Sequence, residues 1–461
     1  MIFKRKAYNK LLDWKNTSNG RTALLIEGAR RIGKSTLVED FAKKNYKSYI
    51  LIDFAFATKN IKNIFENSLD SLDTFFMLLS FETGISLYER ESLIIFDEVQ
   101  KYPRAREVIK YLVKDGRYDY IETGSLISIK ENVKDILIPS EEQRITMYPM
   151  DFEEFAEALG ESLLIPYIRD CFSKRVPLID QVHKKASFLF KEYLLVGGMP
   201  QAVAAFLEQK KQFTDCDFQK RNILKMYRDD ILKIDNIYQS RVLSIFDQIP
   251  SFLSSHEKKV RISSIDSSNN GIPYEKTFFW LSDSMICNEC FACLDPNVGL
   301  SLTESRKLIK CYMGDTGLLL AHTFNENIEN NMSIYSALLH DKLSMNKGMF
   351  FENAVAQMLT ANGHKLYFYT HYNENKHRND IEIDFIISSG NRINNKIIPI
   401  EVKSSKNYTT TSLIEFRNKF SDRIAESFII HPKNLSIRDD GIICIPAYMT
   451  FCLENKASHV H

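Results

Sequence analysis

Short, largely apolar runs alternate with amphipathic stretches over the first 155 residues. Such runs are typical of strands buried on both faces of a parallel sheet. Between them, stretches such as REVIKYLVKDG at 106–116 have the periodicity of helices. This alternation predicts a three-layer α/β domain that ends near Phe155. Its five predicted strands are 21–28, 48–55, 92–100, 118–125 and 143–150.

The rest of the chain divides into three further segments. Residues 156–235 are mostly helical, broken by a sharp turn where Gly197 and Gly198 precede Pro200. Residues 236–310 combine short helices with alternating residues, which fits a winged-helix-like unit or a plain helical connector. From 311 to 461 the pattern becomes α/β again. We therefore predict four regions, 1–155, 156–235, 236–310 and 311–461.

A phosphate-binding loop follows the first predicted strand. The sequence GARRIGKS, Gly28 to Ser35, fits the pattern G-x-x-x-x-G-K-[ST] at every fixed position, with a strand before it and a helix after it. In such a loop, backbone N–H groups cradle the phosphates, Lys34 reaches the β- and γ-phosphates, and the Ser35 hydroxyl binds Mg²⁺. The residues predicted to contact the nucleotide are Gly28, Ala29, Arg30, Arg31, Ile32, Gly33, Lys34, Ser35 and Thr36.

The stretch LIIFDEVQ supplies a second part of this site. Four apolar residues put Asp97 at the carboxyl end of a buried strand, where open α/β sheets bind their ligands. Asp97 is predicted to complete the Mg²⁺ site, and Glu98 to polarise an attacking water. The sequence contains no N-K-x-D motif for guanine, which favours ATP over GTP.

Two further positions are candidates for sensing the γ-phosphate. In YIETGSL, Thr123 or Ser125 ends the next strand, although a turn residue that bonds the local backbone explains the position equally well. Arg144 opens the fifth predicted strand. It is a candidate arginine finger for a neighbouring subunit, and a solvated basic residue is the alternative.

Carboxylates recur near the end of the chain, on two predicted strands that follow a helix carrying Glu352. Alternation puts Asp384 on the polar face of one strand, and Glu401 and Lys403 on the polar face of the other. Glu352, Asp384 and Glu401 are candidate Mg²⁺ ligands for phosphodiester hydrolysis, with Glu401 and Lys403 as catalytic residues. A solvated sheet edge with a Glu–Lys pair is the plain alternative.

Composition and the apolar pattern bear on the possible partners, the cellular location and a possible metal site. With 60 Lys and Arg against 59 Asp and Glu, any nucleic-acid contact must come from local patches such as KKVR at 258–261. A signal peptide and a long apolar span are both missing from the sequence, which predicts a cytoplasmic protein that does not enter the membrane. The spacing of Cys287, Cys290 and Cys293 resembles the start of an iron–sulfur or zinc site, but position 297 is Asn and the segment is apolar, which favours packing.

Several motifs together resemble one family. They are GARRIGKSTL, LIIFDEVQ, YIETGS, YPMDFEEF, YLLVGGMPQAV, KCYMGDTGLL, KGMFFENAVAQML and IEIDFII with IPIEVKSS. In this order they resemble the AAA-type ATPases of bacteria and archaea that carry a C-terminal DUF4143 domain. The resemblance implies an AAA+-like P-loop core, a winged-helix-like middle and a restriction-endonuclease-like, PD-(D/E)XK-type α/β domain. One departure is Gln143-Arg144, where the family often has Gly-Arg.

These features predict an Mg²⁺-dependent ATPase whose cycle controls a nuclease-like, DNA-associated C-terminal domain. The alternative is a regulatory switch whose nuclease-like domain is catalytically silent and binds a protein partner. An ATP-driven assembly factor for mobile DNA is a third hypothesis. The oligomeric state is left open, with a homo-oligomer among the options.

Overall fold

The computed structural model describes residues 1–124, 141–234, 236–255, 258–261, 274–325, 331–340, 342, 348–373, 377–389 and 396–455. The chain forms two compact units, Met1–Tyr148 and Pro149–His461. Within the described part of the chain, every helix is too short or too polar to cross a lipid bilayer.

Unit 1 is built on a parallel sheet, as the sequence predicts. Its order is β2-β3-β4-β1-β5, and every neighbouring pair runs parallel. All side chains of β3 and β4 are buried, because helices cover both faces of a sheet of this kind. The strands are β1 (Ala23–Glu27), β2 (Ser48–Asp53), β3 (Ser92–Asp97), β4 (Asp119–Gly124) and β5 (Glu142–Thr146).

The helices of unit 1 pack their apolar faces on this sheet. On one face, Phe54, Phe65 and Phe96 form part of an aromatic core with ring centroids 5.5–5.7 Å apart. Edge contacts at this distance add to the burial of apolar area. The helices are α1 (Lys6–Ser18), α2 (Lys34–Asn45), α3 (Lys59–Asn67), α4 (Leu72–Thr83) and α5 (Pro103–Asp115).

Unit 2 combines a helical part with a mixed sheet. The predicted limit at 155 falls inside its first helix. Its helices are α6 (Phe152–Ala158), α7 (Leu164–Lys174), α8 (Asp180–Val196), α9 (Pro200–Glu208), α10 (Phe213–Ile231), α11 (Asn236–Ser254), α12 (Tyr274–Asp283), α13 (Thr316–Thr323), α14 (Asn331–Leu339), α15 (Gly348–Ala361) and α16 (Thr411–Lys419).

The sheet of unit 2 has nine strands in the order β13-β14-β12-β11-β10-β9-β7-β8-β6. The predicted limit between residues 310 and 311 falls inside β8. The strands β7 and β8, where the sequence suggests a wing, are hydrogen-bonded into the same sheet as β9. The strands are β6 (Val260–Arg261), β7 (Cys287–Cys293), β8 (Glu304–Met313), β9 (Leu366–Asn373), β10 (Arg378–Ser388), β11 (Ile397–Val402), β12 (Phe428–His431), β13 (Ser436–Ile437) and β14 (Ile443–Pro446).

The sharp turn at Gly197-Gly198 lies against α13 and α15 within unit 2. Asp315 accepts hydrogen bonds from the backbone N–H groups of Gly198 and Leu318, and the Gln357 amide donates to it at 3.1 Å. A Cβ atom at Gly198 would lie 2.0 Å from the carbonyl oxygen of Met150, so only glycine fits. Three of the motifs noted above therefore meet in one buried hydrogen-bond network.

Candidate functional site

The phosphate-binding loop connects β1 to α2. Gly33 caps the helix with a φ of 88°, a left-handed conformation that glycine adopts without strain. A Cβ at Gly28 would lie 2.4 Å from the carbonyl oxygen of Met147, so the loop backbone packs closely on the chain after β5. The first N–H groups of a helix have no intrahelical partner, so the first turn of α2, beginning at Lys34, favours an anion.

Arg5 braces this loop from the N-terminal segment. Its guanidinium donates to the carbonyl oxygen of Ile32 at 2.8 Å and to that of Tyr148 at 2.6 Å. Arg5 is itself buried, and its two hydrogen bonds satisfy donors of its own as well as the two main-chain carbonyl groups. The loop is therefore held in shape by a residue that no phosphate-loop pattern includes.

Lys34 is buried and directed into the loop. Its ammonium donates to the carbonyl oxygens of Gly28 at 2.9 Å and Ala29 at 2.8 Å. Burial lowers the pKa of Lys34 to about 8, against the opposing effect of the nearby Glu98 and Asp97 carboxylates. A phosphate at the loop would supply the negative charge that this desolvated ammonium group lacks.

Asp97 brings three separate segments together at the end of β3. Its Oδ1 accepts a hydrogen bond from the Ser35 hydroxyl at 2.9 Å, and the Thr123 hydroxyl donates to the same oxygen. The juxtaposition follows from the sheet, because the carboxyl ends of the parallel neighbours β3 and β4 lie at one edge. A carboxylate beside a serine hydroxyl is an oxygen set that Mg²⁺ prefers, so these residues fit the ion. Ser125, the other sensor candidate, lies outside the described residues.

Glu98 follows Asp97 in a left-handed conformation with a φ of 54°. This unusual backbone turns the chain into a short 3₁₀ helix at Val99–Lys101. The buried Gln100 amide donates a hydrogen bond to Glu98 Oε2. Gln100 therefore orients the carboxylate that the sequence predicts as the catalytic base.

Arg144 lies on β5 with its side chain 40% exposed. Its Nε donates to Glu142 Oε1 at 2.8 Å, and Glu142 is also paired with the buried Arg106. Arg106 Nε lies 3.8 Å from Glu122, whose pKa is raised by burial. A finger role for Arg144 would therefore require its guanidinium to leave Glu142.

The C-terminal carboxylates meet where β10 and β11 pair antiparallel. Asp384 Oδ2 accepts the backbone N–H of Val402 at 2.8 Å, and Lys403 Nζ lies 2.9 Å from Glu401 Oε1. Burial raises the pKa of Glu401 to about 7, and Lys403 opposes that shift. Burial and the nearby Glu352 carboxylate also raise the pKa of Asp384.

Glu352, on α15, is paired with basic residues from outside the two strands. Lys310 Nζ lies 3.2 Å from Glu352 Oε1 and 3.3 Å from Asp384 Oδ1, and Lys258 contacts the other oxygen of Glu352. The Tyr312 hydroxyl donates to Glu352 Oε1 at 2.5 Å. Burial works against ionisation here, but Lys310 and Lys258 outweigh it and lower the pKa of Glu352 to about 2.

Family models match three segments of the chain. Residues 20–156 match the model of the AAA domain, and residues 347–449 match a domain of unknown function, DUF4143. Residues 187–329 match a second domain of unknown function, DUF8612. The chain contains an AAA domain and a C-terminal DUF4143 domain. This confirms the resemblance drawn from the motifs, while a PD-(D/E)XK nuclease is not among the matches.

Solved structures resemble the chain only distantly, and no curated protein matches it. A point variant of RuvB from Thermotoga maritima is 10% identical over 62% of this chain and 89% of its own, with a TM-score of 0.30. AMPPCP-bound DnaA from Aquifex aeolicus is 9% identical over 74% and 95%, with a TM-score of 0.29. Drosophila ORC bound to DNA is 14% identical over 70% and 95%, with a TM-score of 0.28. TM-scores this low give no basis for transferring properties.

The lysines next to the DUF4143 domain do not form a free basic patch. Lys258 pairs with Glu352, and Lys259 lies 3.0 Å from Glu382 and 3.1 Å from the Thr370 hydroxyl. Lys258 is thus paired with a carboxylate of α15 and Lys259 with one of β10, whereas the sequence left open phosphate contacts or a solvated face for the KKVR segment.

Among the described residues, neither the carboxylates of unit 2 nor the cysteines of β7 form a ready-made metal site. Over the described ranges, no group of three or more His, Cys, Asp or Glu side chains is arranged to hold a metal ion. Cys287, Cys290 and Cys293 are all buried on β7, where alternation sends Cys287 and Cys290 to opposite faces. Burial raises the pKa of Cys290, which disfavours the thiolate that a metal needs.

Four residues that shape the two sites are not among those predicted from the sequence. They are Arg5, Gln100, Lys310 and Tyr312. Gln100 alone carries a signal, since it ends the quoted stretch LIIFDEVQ two residues after Glu98. The others reach their partners across 27 to 143 residues of sequence, which no local pattern records.

Proposed function

We propose that the AAA domain binds and hydrolyses ATP with Mg²⁺. In this proposal the loop from Gly28 to Thr36 holds the phosphates, and Lys34 pairs with the β- and γ-phosphate oxygens. Ser35 and Asp97 would hold the Mg²⁺ ion. When bound, the ion would neutralise charge that develops on the transferred phosphoryl group.

Glu98 is the proposed general base for the attacking water. Its carboxylate has the hydrogen bond from Gln100 that fixes its direction, and it directly follows Asp97, the proposed Mg²⁺ ligand. A positioned base of this kind contributes by taking a proton as the water attacks. Thr123 would keep Asp97 in place through the hydroxyl that donates to Oδ1.

One observation carries this proposal. Ser35, Asp97 and Thr123 come from three segments that are separated by up to 88 residues, yet both hydroxyl groups donate to the same carboxylate oxygen. A strand-terminal aspartate in an ordinary surface turn would not be buried and shared in this way. The convergence supports an ion site beside the phosphate loop.

Mg²⁺-dependent ATP turnover tests the proposal. Asp97→Asn and Ser35→Ala should each lower turnover by about 10²-fold, the scale on which removal of one electrostatic contact slows an enzyme. Asp40→Asn is the matched control, because Asp40 lies on the same helix α2 and its carboxylate pairs with Lys44 at 2.7 Å. Turnover that survives in Asp97→Asn would reject the assignment of this site.

For the DUF4143 domain we propose the alternative drawn from the sequence, a catalytically silent domain that the ATP cycle presents to a partner. The support is the pairing of Glu352 and Asp384 with lysines. DNA and protein are the two classes of partner to test. A homo-oligomer and a cytoplasmic location are part of the same proposal. DNA cleavage controlled by ATP is the competing function.

Plasmid nicking separates the two functions. Supercoiled plasmid is incubated with Mg²⁺ or Mn²⁺, with and without ATP, using wild type, Lys34→Ala and Lys403→Ala. The silent domain predicts no cleavage in any sample while ATP is still hydrolysed by the wild type. Metal-dependent cleavage that is lost in Lys403→Ala would establish the nuclease instead.

A further inference from the structure

The carboxylates Glu352 and Asp384 are enclosed by donors from the chain itself. Glu352 Oε1 accepts from Lys310 at 3.2 Å and Tyr312 at 2.5 Å, and Oε2 accepts from Lys258. Asp384 Oδ1 lies 3.3 Å from Lys310, and Oδ2 accepts the Val402 N–H at 2.8 Å. Each of the four carboxylate oxygens therefore already has a partner.

Lys310 reaches this position across the sheet. It lies on β8, and β7 and β9 separate that strand from β10, which carries Asp384. Its Nζ lies 5.4 Å from the ring centroid of Phe368 on β9, and only 1% of the side chain is exposed. The period of two along a strand puts Tyr312 on the same face as Lys310, so β8 delivers both donors to Glu352.

The charges balance without a metal. Two carboxylates, Glu352 and Asp384, face two ammonium groups, Lys258 and Lys310. Mg²⁺ demands near-octahedral oxygen ligands at about 2.0–2.1 Å, so the ion would have to displace the ammonium groups and then repel them. The residues of this cluster do not fit a divalent cation.

We propose that the ammonium group of Lys310, assisted by Lys258, takes the place of a divalent cation between Glu352 and Asp384. The cluster is a lysine-neutralised site that binds no metal, and it ties β8 to β10 and α15. Lys258 and Lys310 lie outside the segment 347–449 that matches the DUF4143 model, so residues from before that domain complete its carboxylate cluster.

Terbium luminescence tests this inference on the whole 461-residue chain without nucleotide. Tb³⁺ prefers oxygen ligands, and Tyr312 beside Glu352 would sensitise its emission. All proteins carry Asp97→Asn, which disables the AAA site and makes the result independent of ATP hydrolysis. The variants are Lys258→Met, Lys310→Met and the double variant, each with and without Glu352→Gln. Lys307→Met is the control, because Lys307 is an exposed lysine on the same strand β8.

The proposal predicts Tb³⁺ emission that depends on Glu352 only in the lysine variants. The double variant should bind Tb³⁺ about tenfold or more tightly than the parent protein and Lys307→Met, because two repelling charges are gone. If Lys310→Met does not fold, Lys258→Met decides, since its lysine is 20% exposed and its loss is more easily tolerated. Equal Glu352-dependent binding in the parent and the lysine variants would overturn the proposal.

Discussion

Removal of Lys310 should destabilise unit 2 strongly. The Lys310 side chain is 1% exposed and pairs with Glu352 and Asp384, so Lys310→Met leaves these largely buried carboxylates without one of their counter-charges. Loss of one partner of a buried ion pair typically costs about 3–5 kcal/mol. Here Lys258 and Tyr312 still donate hydrogen bonds to Glu352, and 18% of the Asp384 side chain is exposed. We therefore expect a loss of about 3 kcal/mol in the free energy of unfolding.

Urea unfolding followed by tryptophan fluorescence measures this loss. The chain has two tryptophans, Trp14 in unit 1 and Trp280 in unit 2, so a Trp14→Phe background reports on unit 2 alone. Lys307→Met again serves as the exposed control. The double variant Lys310→Met with Glu352→Gln should recover at least half of the loss, because one of the unpaired charges is removed. A loss below about 1 kcal/mol, or no recovery in the double variant, would refute the reasoning.

Three further outcomes follow from the structure. Glu98→Gln should keep ATP binding and slow turnover by about 10²-fold or more, measured by nucleotide titration and phosphate release; unchanged turnover would exclude Glu98 as the base. Gly198→Ala should lower stability by about 1–3 kcal/mol, because its Cβ meets the Met150 carbonyl oxygen, and an unaltered melting temperature would contradict that packing. Because burial raises the pKa of Glu401 from 4.5 to about 7, the folded state binds that proton more tightly than the unfolded chain, so stability should fall as pH rises from about 4.5 to 7. Glu401→Gln should remove up to about 3 kcal/mol of this fall in urea titrations, and a pH profile identical to wild type would disprove the shift.

The nucleotide site is largely predictable because its parts are local. Lys34 and Ser35 belong to one contiguous loop, and Asp97 is marked by the apolar run that precedes it. The parallel sheet then brings strand ends together, so Thr123 meets Asp97 for a reason that the β-α alternation already contains. Arg5 escapes prediction because it donates to main-chain carbonyl oxygens, that of Ile32 in the loop and that of Tyr148 after β5, and such contacts leave no trace in side-chain patterns.

The C-terminal cluster is predictable only in part. Alternation correctly separates the apolar face from the face that carries Asp384, and the antiparallel pairing of β10 with β11 follows from their short connection. The pairing with Lys310 could not be predicted, because Lys310 precedes Asp384 by 74 residues and reaches it only through the order of strands in the sheet. Strand order depends on how the whole sheet packs, and no local period encodes it.

Mg²⁺-dependent phosphate release tests most directly whether the loop at Lys34 supports ATP hydrolysis. Wild type, Lys34→Met and Lys43→Met are compared, because Lys43 is an exposed lysine on the same helix α2 that pairs with Glu39. We predict turnover by wild type and Lys43→Met, and a fall of about 10²-fold or more in Lys34→Met. Absence of turnover in wild type, or equal turnover in Lys34→Met, would contradict the account.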